Sequence, residues 1–205
     1  MLRMLSRSRV ACCSAVRFNA TTHGPLRAPV RRISSVCTHD GERAERTFVA
    51  FKHDCLQRAL LGETMTSFER RGLKLVGLKM VTPTRELAEQ HYIQHRDRDF
   101  FERACVFLAS GPVVASVWEG RRAIGSVRTM CGGSSEPHDC ELGTVRGNHG
   151  LHWRRNLVHS SDSPEAAARE ISLWFPDQAV ELAEWEQALA PWLYELPTSR
   201  ITFED

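Results

Sequence analysis

One histidine, one acid and a small set of cations are the residues here whose types and spacing could do chemistry. His159 stands among small polar residues in the run Asn156-Leu157-Val158-His159-Ser160-Ser161-Asp162-Ser163-Pro164. Ser163 suits a helix N-cap, and Pro164 suits the first helical position, where no backbone donor is lost. The helix that this start predicts runs to about Trp174 and carries Glu170. A carboxylate that holds one ring nitrogen of a neutral imidazole leaves the other nitrogen as a directed nucleophile. The chemistry expected of His159 is therefore to accept a phosphoryl group and pass it on.

Phosphoryl transfer asks a protein mainly for alignment and charge stabilisation. Lys52 ends an apolar stretch, where an ammonium can reach a phosphate. Arg128 and Arg146 flank a long loop, and guanidiniums suit phosphate oxygens. Each of these three, taken singly, has an ordinary surface use. Phe100 and Phe101 diverge by about 100° on a helix, so one can enter the core while the other offers a face to a base. Tyr92 is one of two tyrosines, with packing as its default role. His149, His152 and His159 raise a metal site. If Leu151–Arg155 is a strand reaching back to His149, the first two point to opposite faces, which disfavours a shared ion. No glycine-rich phosphate loop is present.

The elements that must position these residues follow from pattern. Thr47–Phe51 reads as a buried strand. Leu60–Arg71 reads as a helix closed by Gly72, and Leu73–Met80 as a second strand. Pro83-Thr84 opens a helix through His95, and Asp97–Leu108 gives another, together a helical hairpin. Val113–Trp118 is almost wholly apolar and predicts a central strand. Gly120–Thr129 reads as a short helix. Cys131–Asn148 has no period and predicts a functional loop. Leu151–Arg155 reads as a short strand, and Trp185–Tyr194 as a weak helix. This order predicts an α+β fold, a ferredoxin-like βαββαβ sandwich with an antiparallel sheet and added helices.

The net charge of +2 hides an asymmetry. Residues 1–39 hold seven arginines and no acid, and the rest carries 20 basic against 25 acidic residues. An Arg-rich, acid-free start without an apolar run predicts an organellar, mitochondrial presequence over residues 1–45, cleaved between Ile33 and Arg46. The expected organisation is then a catalytic domain over 46–195 and a tail over 196–205. No nucleic-acid partner is expected. Cys55, Cys105, Cys131 and Cys140 show no C-x-x-C spacing, which argues against zinc and against a disulfide framework.

Read together, these residues resemble a nucleoside diphosphate kinase over about residues 46–195. Asn156-Leu-Val-His159-Ser-Ser161-Asp162 matches that family's Asn-x-x-His-x-Ser-Asp signature. Arg46-Thr-Phe-Val-Ala-Phe-Lys52, Ser110-Gly-Pro-Val-Val, Val117-Trp-Glu-Gly120, Gly143-Thr-Val-Arg146-Gly and Glu170-Ile-Ser-Leu-Trp-Phe175 follow in the family's order. The resemblance implies His159 as the phosphohistidine, with Glu170 on its other nitrogen and Ser161 behind. It implies Lys52, Arg128, Ser134 and Arg146 on the phosphates, and Asn156 with Lys52 on the ribose. It further implies Phe100 on the base and Tyr92 near the catalytic lysine. Nucleoside tri- and diphosphates are the implied substrates. Mg²⁺ arrives with them, so no metal ligands are expected on the protein. A homo-hexamer or smaller homo-oligomer is implied.

The chain also departs from that pattern. His53-Asp54-Cys55 replaces Pro-Asp-Gly, which is expected to loosen Lys52. Ser160 replaces a smaller residue, and the 131–142 loop holds one extra residue. These drifts predict a slower or less stable enzyme. Two other readings stand beside it. One is a catalytically weakened scaffold or membrane- or partner-binding member of the same fold, with Arg121, Arg122, Arg154 and Arg155 as a face for an anionic membrane surface. The other is a relay passing phosphate to a protein.

Overall fold

In the computed structural model, residues 44–185 and 187 are described. They all fall within a single compact unit. Most of the expected presequence and the 196–205 tail lie outside the described residues, as does most of the helix expected over Trp185–Tyr194.

Four strands form one sheet: β1 (Glu45–Phe51), β2 (Lys74–Val81), β3 (Val113–Gly120) and β4 (Val158–Ser160). Their order is β2-β3-β1-β4, with antiparallel neighbours throughout, which is the expected sandwich. β1 and β3 are central, so both of their faces are buried, and this is why both read as continuous apolar runs. Phe48 and Ala50 of β1, with Val113, Ala115 and Val117 of β3, pack on one face. Val49 and Phe51, with Val114 and Trp118, pack on the other. Phe68 meets Trp118 edge-to-face at 5.3 Å on that second face.

The first face is covered by α3 (Arg85–His91), α4 (Phe101–Ala109) and α7 (Pro164–Trp174). Thr84 caps α3, its hydroxyl accepting from the Leu87 amide at 3.2 Å. Arg85 then pairs with Glu89 on α3 and with Glu102 on α4, tying the expected helical hairpin together. The first helix of that hairpin ends at His91, and a 3₁₀ turn over Ile93–His95 completes the span. The second face is covered by α2 (Leu61–Arg70) and α5 (Ala123–Cys131), with short α1 (His53–Gln57) between β1 and α2. Gly72 closes α2 with φ of 89°, a conformation that glycine adopts without strain.

The structure corrects three expectations. Leu151–Arg155 is no strand; it is a turn with a single bridge between His152 and Arg155. The long loop is partly helical, holding a 3₁₀ turn at Pro137–Asp139 and α6 (Val145–His149), which Thr144 caps through the Gly147 amide at 3.0 Å. The strand missing from the reading is β4, and it contains His159. A further short helix, α8 (Gln178–Glu181), follows α7.

Candidate active site

The nucleophile's place is set by strand alternation. His159 pairs with Ala50 of β1, so the two side chains share a face. Ala50 is small and leaves room for the imidazole, while flanking Val158 and Ser160 turn to the other face. The His159 ring packs against Phe48 at 6.2 Å, Tyr92 at 6.3 Å and His91 at 4.3 Å. α7 brings the acid. Ser163 accepts from the Ala166 amide at 3.1 Å and Pro164 opens the helix, as its sequence predicts. Ala166, Ala167, Glu170, Ile171 and Trp174 are its buried residues, so a carboxylate sits inside an apolar stripe.

Glu170 is 1 % exposed. Its Oε2 lies 3.1 Å from His159 Nε2 and accepts from the Ser161 hydroxyl at 2.7 Å. The ring N–H lies off the direct line to that oxygen, so Nε2 has a close charged neighbour without an aligned hydrogen bond. Ser161 in turn accepts from the Phe48 amide at 3.3 Å, which anchors the acid to β1. With Nε2 facing Glu170, Nδ1 is the nitrogen left to attack.

A cleft of about 410 Å³ opens in front of His159. Lys52, Tyr92, Phe100, Arg128, Arg146, Asn156, His159 and Glu170 all line it. Ser161 stands behind Glu170. Phe100 faces the cleft while Phe101 packs into the core, the division that the adjacent pair predicts. Ser134 is the exception. Its hydroxyl accepts from the Glu136 amide at 3.1 Å, so it serves the loop's own turn. Gly133 and Ser135 take the lining positions beside it, and the Ser135 carbonyl accepts from Asn156 Nδ2 at 2.9 Å.

The cations are held deep. Lys52 donates to Asn156 Oδ1 and lies 5.7 Å from the Phe107 ring centre. Burial lowers its pKa to about 8, against the opposing charge of Asp54. At the exit of β1, where the sequence expects loosening from the loss of proline, the backbone is hydrogen-bonded. The Lys52 amide donates to the Leu157 carbonyl at 2.8 Å, and Asp54 accepts from the Leu157 amide at 3.0 Å. Leu157 itself is fully buried with φ of 71°, the centre of a three-residue turn closed by Val158 N–H to the Asn156 carbonyl at 2.8 Å. Such a conformation costs about 1–3 kcal/mol and persists only where surroundings over-determine it. Arg146 is buried, and its guanidinium donates to the carbonyls of Gly132, Ser134 and Val158. It thus fastens the 131–148 segment to β4 as well as lining the cleft.

His91 is the residue of this site that sequence reading missed. It is fully buried, and burial first, then the charge of His159, lowers its pKa well below the usual histidine value. Its Nδ1 accepts from Trp174 Nε1 at 3.2 Å, so its proton sits on Nε2. His91, His159 and Glu170 lie close enough together to suggest a metal site. Neither nitrogen of His91 has a lone pair to spare, however, so this trio is poorly made for an ion. His149 and His152 fall on the end of α6 and on the turn after it. Phe107, Arg103 and Trp153 are further cleft residues that carried no sequence signal of their own. Arg154, one of the four arginines of the basic face that the sequence suggested, is exposed and also lines the cleft.

The family model described as nucleoside diphosphate kinase matches residues 45–180. The chain is 52 % identical over 151 residues to the nucleoside diphosphate kinase of a Picosynechococcus strain, covering 74 % of this chain and 99 % of that one. The corresponding enzyme of Carboxydothermus hydrogenoformans is 50 % identical over 151 residues, with the same coverage. Among solved structures, the halophilic nucleoside diphosphate kinase of Halobacterium salinarum in complex with CDP superposes with a TM-score of 0.71 at 42 % identity, over 75 % of this chain and all of that one. A nucleoside diphosphate kinase family protein from Babesia bovis gives 0.69 at 41 % identity, over 73 % and 99 %.

Proposed function

Since the chain belongs to the nucleoside diphosphate kinase family, and so moves the γ-phosphate of a nucleoside triphosphate to a nucleoside diphosphate by a ping-pong route, we propose that His159 carries the group between them. The single observation behind this assignment is the buried Glu170 carboxylate 3.1 Å from Nε2 of a histidine that lines a cationic cleft. In the first half-reaction Nδ1 forms a bond to the γ-phosphorus as the bond to the leaving diphosphate oxygen breaks. Positive charge then builds on the imidazole, and Glu170 stabilises it. In the second half-reaction a diphosphate oxygen takes the group and the imidazole returns to neutral. Lys52, Arg128 and Arg146 face the charge that moves between the oxygens.

Mg²⁺ serves this reaction by neutralising phosphate charge. The residues fit an ion that comes with the nucleotide: the walls near His159 are cationic, Glu170 is engaged by Ser161, and Asp162 stands exposed at the rim. Phe100 is assigned to the base, Asn156 with Lys52 to the ribose. The acid-free, Arg-rich start supports an organellar, mitochondrial address. A homo-oligomer, hexameric or smaller, is supported by edge strand β2, where Leu78 and Met80 are 49 % and 63 % exposed.

Incubation of the full chain with a triphosphate labelled at the γ position tests the assignment. Acid-labile phosphate should appear on His159, and His159→Ala should abolish both label and turnover with an unchanged melting temperature. Steady transfer surviving in that variant would overturn it.

A further inference from the structure

The cleft is lined by a second cationic group, Arg103 and Arg154, besides the cations assigned to the phosphates. α4 presents Arg103, Ala104 and Phe107 to the cleft, with Phe100 just before its first turn. Phe107 is taken up, its ring 4.1 Å from that of His53 and facing Lys52. Phe100, whose ring lies 5.3 Å from that of His95, is the ring on this wall assigned to the base. Helical side chains lean toward the helix N-terminus, so Arg103 reaches back over the turn that holds Phe100.

The facing wall is the turn over residues 152–155. It is closed by Arg155 N–H to the His152 carbonyl at 2.8 Å and braced by Arg154 N–H to His152 Nδ1 at 3.2 Å. Trp153 and Arg154 occupy its two central positions, and the His152 ring stacks on Trp153 at 5.7 Å and 30°. The indole collects two guanidiniums from different elements. Arg154 lies 4.9 Å and Arg103 5.9 Å from its ring centre. Guanidinium–indole contacts of this kind hold a flexible side chain in place.

We propose that Arg103 and Arg154, held on the Trp153 indole, read the edge of the nucleotide base and favour guanine over adenine. The proposal rests on the reading of this cleft as the nucleotide site. A guanidinium has only donors. Guanine offers two adjacent acceptors, O6 and N7, to such a fork, whereas adenine sets an amine donor beside its N7. The two arginines are the specificity-determining groups, and Trp153 is a positioning residue that keeps them at the mouth of the cleft.

Transfer from thymidine triphosphate to GDP and to ADP, measured separately with the full chain, tests this. The expected kcat/KM ratio is about tenfold in favour of GDP, at the modest end for a bidentate guanine contact because both arginines are exposed. Arg103→Ala with Arg154→Ala should bring the ratio near one, raising KM for GDP about tenfold more than KM for ADP. Trp153→Ala should do the same and Trp153→Phe should keep the preference, a pattern that general loosening of the turn would not produce. A wild-type ratio near one, or an unchanged ratio in the double variant, overturns the proposal and leaves the transfer assignment standing. Absence of phosphohistidine in the wild-type chain would overturn both.

Discussion

Replacing Glu170 by glutamine keeps the shape of the side chain and removes its charge. In the native site the carboxylate is 1 % exposed, 3.1 Å from His159 Nε2 and 2.7 Å from the Ser161 hydroxyl. The charge matters most when the imidazole becomes cationic, as it does on phosphorylation. If the cationic ring turns its N–H onto the Glu170 oxygen 3.1 Å away, the charged hydrogen bond so formed is worth about 1.5–3 kcal/mol, and every 1.4 kcal/mol is about tenfold in rate. Glu170→Gln should therefore slow His159 phosphorylation about 10- to 100-fold. Stability should move the other way or not at all, because a buried charge beside a neutral ring costs desolvation that the amide avoids. Rapid-quench measurement of phosphohistidine formation, beside a calorimetric melt, separates the two effects. Phosphorylation at the wild-type rate would refute the argument that this acid stabilises the transferring imidazole. A fall in rate matched by a collapse of the melt would show that its role is structural.

Three further outcomes follow from particular contacts. Burial holds Lys52 near pKa 8, so between pH 8 and the ordinary lysine value the unfolded chain keeps a proton that the folded chain has released. Stability of the free protein should rise with pH across that window, while kcat/KM falls above pH 8 as the ammonium is lost; Lys52→Arg should move that alkaline limb upward, and a limb left in place would assign it to another group. Ser163→Ala removes the cap accepting from the Ala166 amide, and should cost about 1 kcal/mol in denaturant unfolding. Gly132 has φ of 96°, and a Cβ there would meet Cys140 Sγ at 2.8 Å and Arg146 Cβ at 3.2 Å; Gly132→Ala should destabilise by about 1–3 kcal/mol and lower turnover, read by a melt and a transfer assay.

What was legible in the sequence is what local chemistry decides. Ser163-Pro164 announces α7, and the apolar runs of β1 and β3 announce central strands, because capping and two-sided burial leave marks on single residues. β4 leaves none. Three residues, Val158-His159-Ser160, become a strand only because β1 lies beside them, and no pattern within the segment records that pairing. The turn at 152–155 was misread for the converse reason: His152, Trp153 and neighbouring Leu151 look β-prone, but the chain has no partner there and closes on itself. Ser134 is implied by the resemblance alone; its hydroxyl accepts from the Glu136 amide, and the cleft is lined by its neighbours Gly133 and Ser135 instead. His91 could not be found at all, since a buried histidine is distinguished from any other only by the Trp174 indole and His159 ring that it touches.

β1 emerges as the element on which the whole site is registered. Its Phe48 amide fixes Ser161 and through it Glu170, its Ala50 makes room for His159, and the Lys52 that follows it bonds through its amide to Leu157. Nucleophile, acid and lysine are thus placed by five consecutive residues, Phe48 to Lys52, the first four on a buried strand whose neighbours fill both faces and the last just past its end. This explains why the strained turn at Leu157 can persist two residues before the nucleophile: the Lys52 amide holds its carbonyl and the Asp54 carboxylate its amide. The exit of β1 is fixed by hydrogen bonds to Leu157, so a proline's rigidity is not required to keep Lys52 facing the cleft.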